Sequence, residues 1–379
     1  MPDRIITQAE YDEILAKLTG INKRKKRIKE IIEGADPYPE FPPFPDVVPL
    51  PEPEPEPAPP QHAANVFGAN VGVRTVDVAG QEVWHYWHGN AGYANGKVDQ
   101  ALDWGFPMVR FNLATQSFPH NGSTFEKEGS LRGMLEGIME YTAAGIEVML
   151  VAQNAGDTGV TNPVDSERWN DLVQWWDMAI AGINTLPSIT RERVLINWAN
   201  ETHADTPGWV NYNTTVRDTL RNLGWQGRIV VDLPGWGQDI QWLLQGGNVV
   251  PGVIYGWHAY GAIRRPGETW ASGDMGYAEM WPLMEDIFRE IEWQNLPVII
   301  GEFGASNDGS SNYNYTREDA AARCVLELAP EFGVRALWWH GTWWDSYSLT
   351  ADRHHSFHTV DPVAPLSPLG ETLFLKNNS

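Results

Sequence analysis

Val194-Leu195-Ile196-Asn197-Trp198-Ala199-Asn200-Glu201 and Val298-Ile299-Ile300-Gly301-Glu302-Phe303-Gly304 are two apolar, β-branched runs, each of which reaches a glutamate. Runs of this kind read as strands buried on both faces, the pattern of a parallel sheet. A carboxylate at the tip of such a strand is costly unless it is paired or used. Two of them, about a hundred residues apart, fit one barrel that presents both from the C-terminal ends of its strands.

The chain around these runs repeats the plan. Strands are expected at Asn65–Val73, Met108–Asn112, Glu147–Ala152, Val194–Trp198, Arg228–Asp232, Val253–His258, Val298–Gly301 and Val334–Trp339. Helical patterns lie between them at Ser130–Ala144, Ser166–Ile183, Val216–Leu223, Ala278–Glu292 and Arg317–Leu328. This alternation predicts a (β/α)8 TIM barrel of class α/β over residues 63–379. A doubly wound open sheet is the alternative, but no Gly-rich phosphate loop follows the first strand.

Two segments precede the barrel. Residues 1–36 contain an amphipathic helix with Tyr11, Ile14, Leu18, Ile21, Ile28 and Ile32 along one seam and Lys25 at its remaining position, read as a short coiled coil or an isolated helix. Residues 37–62 form a Pro/Glu-rich linker, with proline at alternate positions from 51 to 57. Such a linker excludes helix and sheet and favours a stiff polyproline spacer. The helix and spacer are expected to serve homo-oligomerisation or attachment to a particle.

Composition narrows the partners. The chain of 379 residues has 27 Lys/Arg against 49 Asp/Glu, a net charge of −22. Residues 1–60 hold 8 and 12 of these, so the barrel carries −18 of the imbalance. So acidic a domain repels nucleic acid and anionic membranes and suits a neutral polymer. The single cysteine, Cys324, excludes an intrachain disulfide. Met1-Pro2-Asp3-Arg4 lacks the apolar core of a signal peptide. Synthesis in the cytoplasm is expected, with virion association or release by lysis as the route to an external substrate.

The expected strand ends are polar all round. They carry Arg110 and Asn112, Gln153 and Asn154, Asn200 and Glu201, Asp232 with Gly235-Trp236-Gly237-Gln238, His258 and Tyr260, Glu302, and Trp338-Trp339-His340. Two opposed carboxylates are the equipment for cleaving a glycosidic bond. Tyr260 or His258 is placed to keep a carboxylate nucleophile ionised, and Asn200 to meet a sugar 2-hydroxyl. The 19 tryptophans, many in loop-like settings such as Trp84, Trp87, Trp175-Trp176, Trp257 and Trp281, offer flat faces to pyranose rings or bulk to a core. His85, His88 and Asp103 have no metal-ligand spacing. No metal or cofactor is expected.

Asn200-Glu201 after a strand, His258-Ala259-Tyr260, Gly301-Glu302-Phe303-Gly304 and Trp338-Trp339 resemble the retaining clan of (β/α)8 glycoside hydrolases, specifically family 5, the cellulase and mannanase family. The resemblance spans residues 65–345. It implies Glu201 as general acid/base and Glu302 as nucleophile. It also implies Arg110, Asn200, His258, Tyr260 and one of Trp338 and Trp339 around the cleavage subsite. Val230-Val231-Asp232-Leu233-Pro234-Gly235-Trp236-Gly237-Gln238 is similar to a segment of bacterial β-mannanases, which places Trp236 among the substrate contacts. Asn200-Glu201-Thr202 departs from the usual Asn-Glu-Pro, and Gln153-Asn154 from the usual histidine on the subsite wall.

The implied enzyme is a retaining endo-β-1,4-glycanase acting on mannan or glucan. Glu302 is expected to stay charged beside Arg110, and Glu201 to be raised by Trp198 and by the charge of Glu302. Two other readings stand beside this one: a non-catalytic carbohydrate-binding or phage-particle module, and an exo-acting β-glycosidase.

Overall fold

In the computed structural model of the chain, the described residues are 65–72, 74–76, 82–84, 98–113, 124–152, 167–202, 206–246, 249–261, 263, 275–305, 315–339 and 376–377. The expected N-terminal helix, the Pro/Glu-rich linker, Gln153, Asn154 and His340 lie outside them.

The strands, in chain order, are β1 (Phe67–Gly72), β2 (Arg74–Val76), β3 (Glu82–Trp84), β4 (Met108–Leu113), β5 (Glu147–Ala152), β6 (Val194–Asn197), β7 (Arg228–Asp232), β8 (Ile254–His258), β9 (Val298–Phe303) and β10 (Ala336–Trp338). β2 and β3 form a short antiparallel pair. The other eight close a parallel barrel in the order β1-β10-β9-β8-β7-β6-β5-β4. This is the expected (β/α)8 plan, and all eight expected strands are present within a few residues.

Helices alternate with these strands because their apolar residues recur at helical spacing. In Tyr277–Trp293 the buried residues are Met280, Met284, Ile287, Phe288 and Ile291, one stripe against the barrel. Glu167–Asn184, Thr206–Asn222 and Tyr315–Phe332 are similarly placed between strands. Among the described residues, no helix is long and apolar enough to cross a membrane.

Strand alternation sorts the interior into layers. Met108, Met149, Leu195, Val230, Ile299 and Leu337 form an apolar plug within the barrel. Two residues further along β4, β6 and β7, the same inward positions hold Arg110, Asn197 and Asp232, all buried. Asn70 of β1 joins them, in register with Arg110. The barrel interior therefore turns from apolar to polar part-way up its strands, and the site stands on that polar layer.

The tryptophans are largely packing residues. Trp175, Trp176, Trp198, Trp209, Trp225, Trp257 and Trp338 are buried. Trp198 stacks on Trp176 with centroids 6.3 Å apart, in the layer between barrel and helices. The loop-like settings expected for Trp175-Trp176 and Trp257 are therefore core settings.

Candidate active site

β9 presents Glu302 through an irregularity. Its pairing with β8 advances from Trp257↔Ile300 to His258↔Glu302, and its pairing with β10 from Ala336↔Ile300 to Trp338↔Phe303. Both neighbours thus meet one extra residue at Gly301, a β-bulge that re-aims the side chain after it. Ile300 and Phe303 pack in the outer core, while Glu302 turns inward to Arg110. The strand was expected to stop at Gly301; it continues through Glu302 to Phe303.

Arg110 is the hub of the site. Its Nη1 donates to Glu302 Oε1 at 2.6 Å and to Asn70 Oδ1 at 3.0 Å, and its Nη2 donates to Asn200 Oδ1 at 2.8 Å. Asp232 Oδ2 lies 3.6 Å from the same Nη2. Asn70 is itself fixed, donating to the carbonyls of Gly301 at 3.0 Å and Trp338 at 3.2 Å. Tyr260 donates its hydroxyl to Glu302 Oε2 at 3.0 Å.

Glu201 follows β6 in a left-handed conformation, φ 49°, which is strained for a residue with a Cβ. Its N–H donates to Asp232 Oδ2 at 3.0 Å, and its Oε1 lies 2.9 Å from His258 Nδ1. The same Nδ1 is 3.5 Å from Glu302 Oε2. One oxygen each from Glu201 and Glu302 and one His258 nitrogen lie within 4.8 Å of one another. That trio has the donor types of a cation site, but a cation there would be repelled by the Arg110 guanidinium.

His258 is fully buried among acids. Burial by itself would lower its pKa, but Glu302, Asp232 and Glu201 together outweigh burial and push it up to about 8. Glu302 departs from the sequence expectation. Burial raises its carboxyl above the ordinary range, against the opposing pull of His258 and Arg110. Trp198, expected beside Glu201, is buried in the outer layer instead.

The structure thus brings Arg110, Asn200, Glu201, His258, Tyr260 and Glu302 together. Trp338 is not with them: it is fully buried and packs edge-on against Phe303 at 5.1 Å. Leu337 faces the barrel interior, so period-two alternation puts Trp338 outside and leaves Trp339, half-buried, next on the inward side. Trp236 is 44% exposed with φ 58°, between Gly235 and Gly237, which share that left-handed backbone. Of the network, Asn70 was not among the expected site residues, and Asp232 was counted among the polar strand ends without a role. Asp232 ends an apolar run as the two glutamates do, and that was its available signal; Asn70 carries no motif.

A sequence profile described as Cellulase (glycosyl hydrolase family 5) matches residues 64–346. The chain belongs to glycoside hydrolase family 5. As a family 5 protein it is a glycoside hydrolase of the β-glycanase kind. A mannan endo-1,4-beta-mannosidase from Salipaludibacillus agaradhaerens is 26% identical over 282 residues, covering 70% of this chain and 79% of that protein. Among solved structures, the catalytic domain of a mannanase from Streptomyces sp. SirexAA-E aligns with a TM-score of 0.52 at 19% identity, over 86% of this chain and 93% of that one. A family 5 xyloglucanase from Paenibacillus pabuli aligns with a TM-score of 0.57 at 15% identity, over 83% and 99%. These structural likenesses establish the barrel and do not select a sugar.

Proposed function

We propose that this family 5 protein is a retaining endo-β-1,4-glycanase, with Glu302 as nucleophile and Glu201 as general acid/base. The observation that carries the reading is the close approach of the two carboxyl groups, with one oxygen of each inside the 4.8 Å trio with His258. Retaining enzymes hold this pair about 5–5.5 Å apart, whereas inverting enzymes leave roughly 6.5–9.5 Å for a water.

The chemistry follows from the contacts. Glu302, aimed by Arg110 and Tyr260, attacks the anomeric carbon as its bond to the leaving oxygen breaks. Glu201 gives its proton to that oxygen, and a glycosyl ester of Glu302 remains. Glu201, now ionised, takes a proton from water, which attacks the anomeric carbon and frees Glu302. Arg110 occupies the Asn200 Oδ1, which leaves the amide N–H groups of Asn200 for a sugar hydroxyl. Because burial raises Glu302, the acid limb of the kcat/KM profile is expected above the ordinary carboxylate range.

A mannan-type substrate is favoured over glucan by the Gly235-Trp236-Gly237-Gln238 segment and by the mannanase relative, whose name also supports endo action. The test is release of reducing sugar from mannan, glucomannan, carboxymethylcellulose and mixed-linkage glucan. Glu302→Gln and Glu201→Gln should each lose at least ~100-fold on the polymer the parent cleaves. Full activity of Glu302→Gln would remove it as nucleophile. A parent inactive on all four polymers would favour the carbohydrate-binding reading, and release of only terminal sugars from a hexasaccharide would favour exo action.

A further inference from the structure

We propose that Asp232 is a positioning residue for this reaction: it anchors the left-handed turn that carries Glu201 and orients the His258 ring so that Nδ1 meets the Glu201 carboxyl. The proposal rests on the reading of Glu201 as acid/base.

Asp232 is the last residue of β7, and its side chain is 1% exposed. Oδ1 accepts from Asn197 Nδ2 at 2.7 Å, and Oδ2 accepts the Glu201 N–H at 3.0 Å. The Asp232 carbonyl accepts from Trp209 Nε1 at 2.9 Å. Space for the carboxylate is made by Gly256 on β8, where a Cβ would lie 2.3 Å from Asp232 Oδ1. The residue is therefore held from three elements and has no freedom to turn elsewhere.

Its effect on Glu201 is direct. A left-handed residue with a Cβ is strained and persists only where its surroundings impose it. The Asp232–Glu201 hydrogen bond is such an imposition, and it sets where the Glu201 side chain leaves the backbone.

Its effect on His258 is electrostatic. Asp232 Oδ2 lies 3.5 Å from His258 Nε2, a buried nitrogen without a hydrogen-bond partner. The charged and titratable groups facing the ring are Glu201 after β6, Asp232 on β7 and Glu302 on β9, with Arg110 of β4 and Tyr260 beyond them. A negative charge beside Nε2 favours a proton there. Nδ1 is then the nitrogen that exchanges a proton with Glu201 as that carboxyl cycles between acid and base.

Asp232→Asn tests this without changing the shape of the side chain. An amide can accept from the Glu201 N–H or from Asn197, but its NH2 end opposes the other donor. Loss of the negative charge removes one of the charges that hold Glu302 and His258 up, so the acid limb of the kcat/KM profile should move to lower pH. Misplacement of Glu201 should lower kcat on polysaccharide by roughly 100-fold with little change in KM. A nitrophenyl glycoside, whose leaving group needs no proton, should lose much less.

An unshifted profile, or equal losses on both substrates, would overturn the proposal. If the variant does not fold, the nitrogen spectrum of histidine-labelled parent protein decides, with His258 assigned through His258→Gln. A proton on Nε2 is expected, and a neutral ring protonated only at Nδ1 overturns the assignment. An inactive Glu302→Gln with an unshifted Asp232→Asn profile sinks this proposal alone, whereas an active Glu302→Gln sinks the mechanism beneath it.

Discussion

His258 is where the charges of the site are balanced. Two cations, Arg110 and protonated His258, face three carboxylates, Asp232, Glu201 and Glu302. The ring gains a proton on folding because its pKa goes from an ordinary 6.5 to about 8. The contribution is of order 2 kcal/mol. A group raised in this way stabilises fully below its unfolded pKa and loses that contribution as pH rises through the folded one. Glu302, also raised, acts in the same direction, since its ionised form bears the cost of burial. The melting temperature should therefore fall between pH 6.5 and 9, and His258→Gln should flatten that fall in calorimetry. An equal or steeper fall in His258→Gln would show that the histidine does not carry the linkage. Self-repulsion of a chain at −22 also grows with pH, and it is common to both proteins.

Two short elements shape the candidate site, and each departs from a regular pattern. The bulge at Gly301 puts Glu302 on a face that strict alternation from Ile299 denies it. Gly301 is the residue that marks the bulge in Val298–Phe303, since a lone glycine inside a strand pattern favours one; read as a strand end, it makes sequence periodicity stop the strand too early. The turn at Gly235-Trp236-Gly237 is more legible, since glycine is the residue that left-handed backbone favours. Gly237 also lies under the histidine: a Cβ there would be 2.6 Å from His258 Cγ, with φ 75°. Gly246 has φ 81° and nothing within 4 Å of a Cβ, so it isolates the backbone cost. Gly246→Ala should cost about 1 kcal/mol in denaturant unfolding. Gly237→Ala should cost roughly 1–3 kcal/mol more, because the added methyl overpacks the ring. Equal losses would mean that His258 is not seated on that glycine. The choice between Trp338 and Trp339 stays open in the sequence because the register of the last strand is set by its neighbours; Leu337 facing inward puts Trp339 on the inward side.

For the whole molecule, the barrel was legible because each strand is buried on both faces and so appears as an apolar run between helical patterns. The gathering of Arg110, Asn200, Glu201, His258, Tyr260 and Glu302 followed from the rule that strand ends converge. What escaped was the support beneath them. Asn70 and Asp232 act through their fixed contacts with Arg110 and Glu201, which belong to packing and not to any local motif. The tryptophans misled in the other direction, because a large flat side chain serves a core as well as a sugar.

The central claim is that Glu302 forms the bond to the sugar, and trapping that bond tests it most directly. The full chain is treated with activated 2-fluoro β-glycosides of manno and gluco configuration, digested, and mapped by mass spectrometry. The account predicts one glycosyl adduct, on the peptide containing Glu302, and none in Glu302→Gln. An adduct on Glu201, or hydrolysis that releases the α-anomer first in proton NMR, would contradict it.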